Sequence, residues 1–370
     1  MLNVDVLGAI PFRGARGRKN GPVRVVVVGG TGNTGTSLLR ALENEAAVET
    51  VLGVARRLPA DDYGNADWQA ADISKDDLRP LLRGADCVVH LAWLIQPSRD
   101  PARMWLTNVH GSRSLFRAAA DAGVRAIVYA SSVGAYSPGP KDRAVDESWP
   151  TDGIATSTYS RHKTAVEREL DVLERERPEI RVVRLRPGFI FQRAVASHAR
   201  RLFLGPFFPS PLLHPALIPL VPQHSRFRFQ AVHADDVADA YRRAIVGDAR
   251  GAYNVAAEPV LDGDSLADAL DARRVRVGPR VARAFVASTW RLRLQPADPG
   301  WADLAYGVPL MDVARARAEL GWQPQRSSTD ALLEAMKGIR EAAGRDTPPL
   351  TPDSDRLREV ATGVGGSDRL

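Results

Sequence analysis

The sequence predicts an α/β protein: a doubly wound parallel sheet followed by a smaller, mostly helical C-terminal region. Three observations carry this prediction. Apolar β-branched runs alternate with helical patterns from residue 23 to about 192, the order expected of a parallel sheet with helices on both faces. The first run, "VRVVVVG", is apolar without alternation, as in a strand covered on both sides. It stops on a glycine cluster that opens directly into a helical pattern, in "RVVVVGGTGNTGTSLLRAL" from Arg24 to Leu42.

The elements follow in order. "TGTSLLRALEN" has helical spacing and "VETVLGVAR" reads as a second strand. "DISKDDLRPLLRG" predicts a helix beginning near Ser74, and "ADCVVHLA" a further buried strand. "TNVHGSRSLFRAAADAG" is a helix with its stop at Gly123, since glycine readily takes the left-handed conformation that ends a helix. "VRAIVYASS" is a strand, "TYSRHKTAVERELDVLERER" a long helix ending before Pro178, and "IRVVRLRPG" a strand. Beyond residue 192 the pattern loosens. A proline-rich apolar segment precedes the helix "ADDVADAYRRAIVG" and the short strand "GAYNVA", and the rest to about residue 340 is mostly helical and rich in Arg and Ala.

Bulk properties narrow the function classes. The chain has 370 residues, 44% of them hydrophobic and 25% charged, which suits a globular protein with a buried core. The net charge is +6. The leader to Pro22 holds Arg13, Arg16, Arg18 and Lys19 against Asp5, so part of the excess is local to it. No basic stripe is interleaved with aromatics, and nucleic acid is not an expected partner. The single cysteine, Cys87, excludes an internal disulfide framework and a thiolate zinc cluster. Its apolar neighbours predict a buried, inert thiol. The start of the chain lacks the long apolar region of a secretory signal, and cytoplasmic residence is the expectation. Residues 202–221 carry no formal charge but contain Pro206, Pro209, Pro211, Pro215 and Pro219. Prolines remove backbone donors and break helix interiors, so a greasy, irregular flap over a pocket is expected there in place of a transmembrane helix, with peripheral membrane contact left open.

Gly29, Gly32 and Gly35 form GxxGxxG between a strand and a helix. Bare backbone there can approach a pyrophosphate, and the free N–H groups and dipole of the helix favour anions. The same glycines would also serve a tight turn with no ligand. At the end of the second strand, where an acidic residue would read the ribose of NAD, stand Arg56 and Arg57. Guanidinium groups suit a 2′-phosphate, which favours NADP over NAD; the alternative is two solvated arginines.

Tyr159 and Lys163 are four apart in a helical segment and share a face. An ammonium near a phenol would lower its pKa towards neutrality and make it a usable acid or base. Taken alone such a pair is common. Its weight comes from the preceding strand, which ends in Ser131 and Ser132, because ligands bind at the carboxyl ends of parallel strands. His90 and His233 read as structural, and no His, Asp and Glu set has metal-ligand spacing. No G-x-S-x-G elbow appears. Asp235, Asp236 and Asp239 head a helix, where carboxylates complement the dipole.

With these motifs in hand, the sequence resembles an extended short-chain dehydrogenase/reductase of the NAD-dependent epimerase/dehydratase family. The likeness spans roughly residues 23 to 260. It rests on "GGTGNTG", "ADIS", "VVHLAW", "TNVHGS", "VYASSVGAY", "YSRHK", "RLRPGFIF" and "QAVHADDVA", in that order. It implies a Rossmann fold in which the glycine loop, with Thr31, Asn33 and Thr34, cradles the pyrophosphate. Asp72 and Ile73 would meet the adenine, Leu91 and Ala92 the nicotinamide ribose, and Pro187 and Gly188 the nicotinamide, with Asn108 and Ser131 also on the cofactor side. Ser132, Tyr159 and Lys163 would be the catalytic triad, and Trp93, Val133, Phe189 and Phe191 would face the substrate. A homodimer is implied as well.

Departures from the family pattern shape the substrate expectation. Val28 replaces the usual threonine before the glycines, and Val133–Gly134 replaces the acidic pair of the dehydratases. Phe189 stands where sugar-nucleotide epimerases carry an asparagine, and Phe229 where an arginine is usual, although Arg228 is adjacent. The expected function is an NAD(P)-dependent oxidoreductase with a Ser-Tyr-Lys mechanism, acting on a hydrophobic carbonyl or secondary alcohol. A nucleotide-sugar epimerase with tightly held NAD and a non-catalytic dinucleotide sensor are the alternatives. The predicted organisation is a basic flexible leader (1–22), a dinucleotide-binding domain (23–192), a substrate region (193–340) with about 228–257 returning to the first domain, and a disordered tail (341–370).

Overall fold

The computed structural model describes residues 21–60, 63–214, 217–352, 356–361 and 363–365. The predicted leader therefore lies almost wholly outside the described residues. Strands of three or more residues are β1 (Val23–Val28), β2 (Val48–Ala55), β3 (Asp67–Ala70), β4 (Cys87–His90), β5 (Ala126–Ala130), β6 (Arg181–Pro187), β7 (Phe189–Phe191), β8 (Leu220–Gln223), β9 (Ala231–His233), β10 (Gly251–Val255) and β11 (Arg273–Arg276). The α-helices of ten or more are α1 (Asn33–Leu42), α2 (Ser112–Asp121), α3 (Thr158–Glu176), α4 (Ala234–Val246), α5 (Pro279–Arg291) and α6 (Ser328–Arg340).

Seven strands form one parallel sheet in the order β10-β6-β5-β4-β1-β2-β3. The order reverses beside β1, which creates the crevice at the carboxyl edge where such sheets bind ligands. Successive β1 valines serve opposite faces, as the period of two demands. Val25 and Val27 pack with Leu38 and Leu39 of α1 and Tyr241 of α4. Val26 and Val28 pack with Leu115 and Phe116 of α2 and Val166 and Leu170 of α3. β10, beyond the proline-rich segment, completes the sheet beside β6. A third, smaller core gathers Val221, Leu261, Leu266, Leu270 and Met336.

Two expectations are corrected. The helix expected from Ser74 is confined to Arg79–Leu82. Asp72 accepts hydrogen bonds from the Ser74 N–H at 2.9 Å and the Ser74 hydroxyl at 2.6 Å, holding a turn. Pro80 lies in the first turn of the short helix, a place where its missing N–H is harmless but would not be further inside. The tail expected to be disordered packs against the body where it is described. Thr347 and Leu350 are fully buried, the Arg201 guanidinium donates to the Thr351 carbonyl at 2.9 Å, and Glu359 pairs with the buried Arg200. Composition signalled its polarity but not these arginine anchors.

Candidate active site

β1 enters the crevice at Gly29, whose φ of +90° favours glycine. A Cβ there would lie 2.5 Å from the Ala92 nitrogen, so Gly29 lets β1 and the end of β4 approach. A Cβ on Gly35 would meet the Gly30 carbonyl oxygen at 2.5 Å, which seats α1 tightly under the turn. Gly32 is different. A Cβ there would come no nearer than 3.5 Å to the rest of the protein, so packing does not require this glycine. Gly32 is also the N-cap of α1, and no side chain caps the helix. The first turn therefore presents bare N–H groups beside a residue with no side chain, the arrangement that receives an anionic phosphate. These residues fit a dinucleotide.

Gly29, Thr31, Gly32, Arg56, Arg57, Asp72, Ile73, Leu91, Ala92 and Trp93 line one cleft. Burial raises the Asp72 carboxyl, but its Ser74 hydrogen bonds, Arg56 and Lys75 leave it below the usual range. Asn33 is engaged by Gln192, whose Nε2 donates to its carbonyl and side-chain oxygens at 3.2 and 2.7 Å. Thr34 follows on the first turn of α1 and is half-buried. Leu202, the first residue of the apolar flap, also lines the cleft, as do Gln96, His198 and Pro349, which the sequence did not mark. Pro349 comes from the tail, and the neighbouring Thr347 hydroxyl donates to the Thr31 carbonyl at 3.0 Å. Only long-range packing brings these residues to the glycine loop.

α3 carries Tyr159, Lys163 and Glu167 at four-residue steps, all on one face. The Gly134 N–H donates to the Ser132 hydroxyl at 3.0 Å, and the Tyr159 ring packs on the same Gly134, where a Cβ would come within 2.9 Å of it. The two predicted residues are therefore brought together at Gly134. Burial pushes the Tyr159 phenol up to about 12, against the opposing effect of the Ser132 hydroxyl. The expectation of a phenol lowered towards neutrality by Lys163 is not met. Lys163 is buried, donates to the Ala130 carbonyl at 2.6 Å and stands 5.6 Å from the Tyr159 ring centre. Burial pulls its own pKa well down, with Glu167 acting the other way.

Other predicted site residues have structural duties. Ser131 donates to Glu167, which also receives Arg186 Nε at 2.8 Å and Nη2 at 2.6 Å. Burial raises the Glu167 carboxyl, yet Arg186, Ser131 and Arg184 hold it below the usual range. The fully buried Asn108 clamps Leu94, accepting from its N–H at 2.7 Å and donating to its carbonyl at 2.8 Å, so it positions the cleft wall. Pro187 is buried and ends β6. A side chain at Gly188 would collide with the Gln230 carbonyl, so packing accounts for that glycine. Val133 is buried in a short turn of helix. Phe189 packs on Phe229 at 5.4 Å, and Phe191 joins the third core. Cys87 is buried and burial pushes its thiol to about 12, as an inert thiol requires. His90 is buried against Ser112 at 2.7 Å, and His233 caps α4. Among the described residues no cluster of His, Cys, Asp and Glu could hold a metal ion.

An aromatic wall surrounds the Tyr159 ring. Trp93 lies 6.0 Å from it and Trp301 4.9 Å, and Phe203 meets Trp301 at 4.8 Å. Phe203 belongs to the apolar flap expected at residues 202–221, whereas nothing local marks Trp301 as a neighbour of Tyr159.

The family model described as "NAD dependent epimerase/dehydratase family" matches residues 25–256. An uncharacterized protein of Mycobacterium tuberculosis (strain ATCC 25618 / H37Rv) is 27% identical over 345 residues, covering 86% of this chain and 84% of its own. UDP-glucose 4-epimerase 3 of Oryza sativa subsp. japonica is 30% identical over 188 residues, 46% of this chain and 50% of that one. Among solved structures, UDP-glucose 4-epimerase of Thermotoga maritima with UDP-glucose has a TM-score of 0.64 at 20% identity, over 86% of this chain and 99% of that one. The dTDP-glucose 4,6-dehydratase DesIV of Streptomyces venezuelae, with NAD and TYD bound, gives 0.61 at 20%, over 86% and 97%. The matched region contains the glycine loop, Ser132, Tyr159 and all of the central sheet but the first two residues of β1, and the chain belongs to the NAD-dependent epimerase/dehydratase family.

Proposed function

We propose that the protein is an NAD(P)-dependent oxidoreductase that interconverts an apolar carbonyl compound and the corresponding secondary alcohol. The observation that carries this reading is the meeting of Ser132 and Tyr159 at Gly134, beside a wall of Trp93, Trp301 and Phe203. A bound nicotinamide would supply or accept hydride. The chain's own part is to hold the oxygen and move the proton. Ser132 positions the substrate oxygen by hydrogen bonding. Tyr159, neutral because burial raises its pKa to about 12, gives its proton to that oxygen in reduction and takes it back in oxidation. The aromatic wall excludes water and binds an apolar group by surface burial. Arg56 and Arg57 on the cleft wall support NADP as the preferred dinucleotide.

A second reading, a nucleotide-sugar epimerase with retained NAD, is favoured by the names of the structural neighbours. Against it, Phe189 and Phe229 pack edge to face where the resemblance expects an asparagine and an arginine for a diphosphate. The deciding experiment titrates NADPH and NADH by fluorescence and then screens apolar ketones and aldehydes for cofactor oxidation. Tyr159→Phe should lose turnover by about 100-fold or more while still binding cofactor. Full turnover in that variant overturns the proton-transfer role, and NAD retained through purification with UDP-sugar turnover supports the second reading.

A further inference from the structure

We propose that the outward face of α5, with the basic strand leading into it, docks on an anionic membrane surface. α5 has no fully buried residue. Its Val281 and Phe285 are four apart, and Leu292 follows two turns on, so all three fall on one stripe. They are 65%, 69% and 69% exposed. The opposite side faces the protein: Trp290 donates to the Ser98 hydroxyl at 3.1 Å and stacks under Arg99 at 4.4 Å. A helix that turns its apolar stripe to water is amphipathic in the reverse sense to a packed one.

The charge around that stripe selects the partner. Residues 272–297 contain seven arginines and no acidic residue. Arg274 is bonded to Asp264 and Asp268, and Arg283 to Asp303. Among the described residues the other five, Arg273, Arg276, Arg280, Arg291 and Arg293, form no ion pair and are exposed. Arg280 and Arg291 are three turns apart on α5 and border the apolar stripe. Exposed apolar side chains flanked by arginines form an interfacial anchor, with the stripe entering the acyl boundary and guanidinium groups meeting phosphate headgroups. A second copy of the chain is a poorer occupant, because like charges would face one another.

The surface borders the cleft. The backbone of Leu294 and Gln295 lies against Gly205 of the apolar flap, and Leu294 and Phe207 are 45% and 57% exposed. The Gln96 amide, on the cleft wall, donates to both Leu202 and Pro296 carbonyls at 2.8 and 3.1 Å. A docked α5 would place the flap, and Phe203 behind it, at the lipid boundary. Among the described residues no helix is long and apolar enough to cross a membrane, so the attachment is to one surface.

The test is co-sedimentation of the full chain with phosphatidylcholine vesicles, with and without phosphatidylglycerol. Binding needs no turnover, so the outcome is independent of the catalytic reading. Binding at least about tenfold tighter to the anionic vesicles, and weakened by salt, is expected. The double variant Val281→Asp/Phe285→Asp should lose it with unchanged thermal midpoint and NADPH affinity, and Arg280→Gln/Arg291→Gln should lose the lipid preference. Equal partition to both vesicle types, no binding, or retained binding by the Asp variant overturns the proposal. So does light scattering that finds a dimer which the Asp variant splits, without vesicle binding; the face would then belong to a second copy.

Discussion

The ammonium of Lys163 lies 3.5 Å from the centre of the Trp93 indole while donating to the Ala130 carbonyl oxygen. The lysine is thereby fixed between a strand end and an aromatic face. Trp93 also borders Tyr159, at 6.0 Å between ring centres, and its buried indole N–H has no hydrogen-bond partner among the described residues. One side chain thus sets both the position of Lys163 and the room beside the phenol.

Replacing Trp93 should therefore change substrate size preference. Trp93→Ala opens space next to Tyr159, and the ratio of kcat/KM for bulky over small ketones should rise about tenfold, the scale of discrimination a few methylenes afford. Trp93→Phe should keep the original ratio. Steady-state kinetics on a graded ketone series would show it, and an unchanged ratio in Trp93→Ala removes Trp93 from the substrate wall.

Glu167 ties α3 to β5 and β6 through Ser131 and Arg186, with both charged groups nearly inaccessible. Breaking such a pair strands a buried charge. Glu167→Gln should lower unfolding free energy by about 3–5 kcal/mol, read from urea denaturation. A loss below about 1 kcal/mol would mean the guanidinium finds solvent or another partner.

Much of this architecture was legible in the chain. Unbroken valine runs specified a sheet covered on both faces, and the glycine spacing marked the cleft. The four-residue step from Tyr159 to Lys163 to Glu167 placed all three on one helix face, although Glu167 drew no attention because a lone glutamate in a charged helix looks solvated. Trp301, Thr347 and Pro349 were illegible for a different reason. Trp301 reaches Tyr159, and Thr347 and Pro349 reach the glycine-loop cleft, from more than a hundred residues away, and local periodicity carries no information about such closures. Phe191 shows the converse: its neighbours in sequence suggested the site, but β7 turns it into the third core.

Two buried imidazoles, His90 and His162, and one on the cleft wall, His198, make stability depend on acid. Burial lowers His90 to about 3, His162 to about 4 and His198 to about 3. In the unfolded chain each titrates near its ordinary value of about 6.5. Between these limits the unfolded state binds more protons, so stability falls as pH drops from about 6.5 towards 4. The slope of unfolding free energy against pH should lose up to one proton's worth in His162→Gln, whose ring contacts Asn108 and Trp105. A flat wild-type profile across that window would contradict the burial of these rings.

The cofactor choice turns on Arg56 and Arg57, which line the cleft just past β2. Arg56 acts electrostatically on Asp72 and Arg57 on His198, so both lie near the pocket's polar floor. A 2′-phosphate would add a charge-assisted bond worth about 1.5–3 kcal/mol, or about 10- to 100-fold in affinity. Arg56→Ala/Arg57→Ala should weaken NADPH by that factor and leave NADH within about twofold, since NADH offers the guanidinium groups no phosphate at that position. Fluorescence titration of both dinucleotides measures the ratio directly. If NADH weakens equally, the arginines shape the cleft without reading the ribose, and Asp72 becomes the residue to vary next, because its lowered carboxyl is the acceptor a ribose hydroxyl would need.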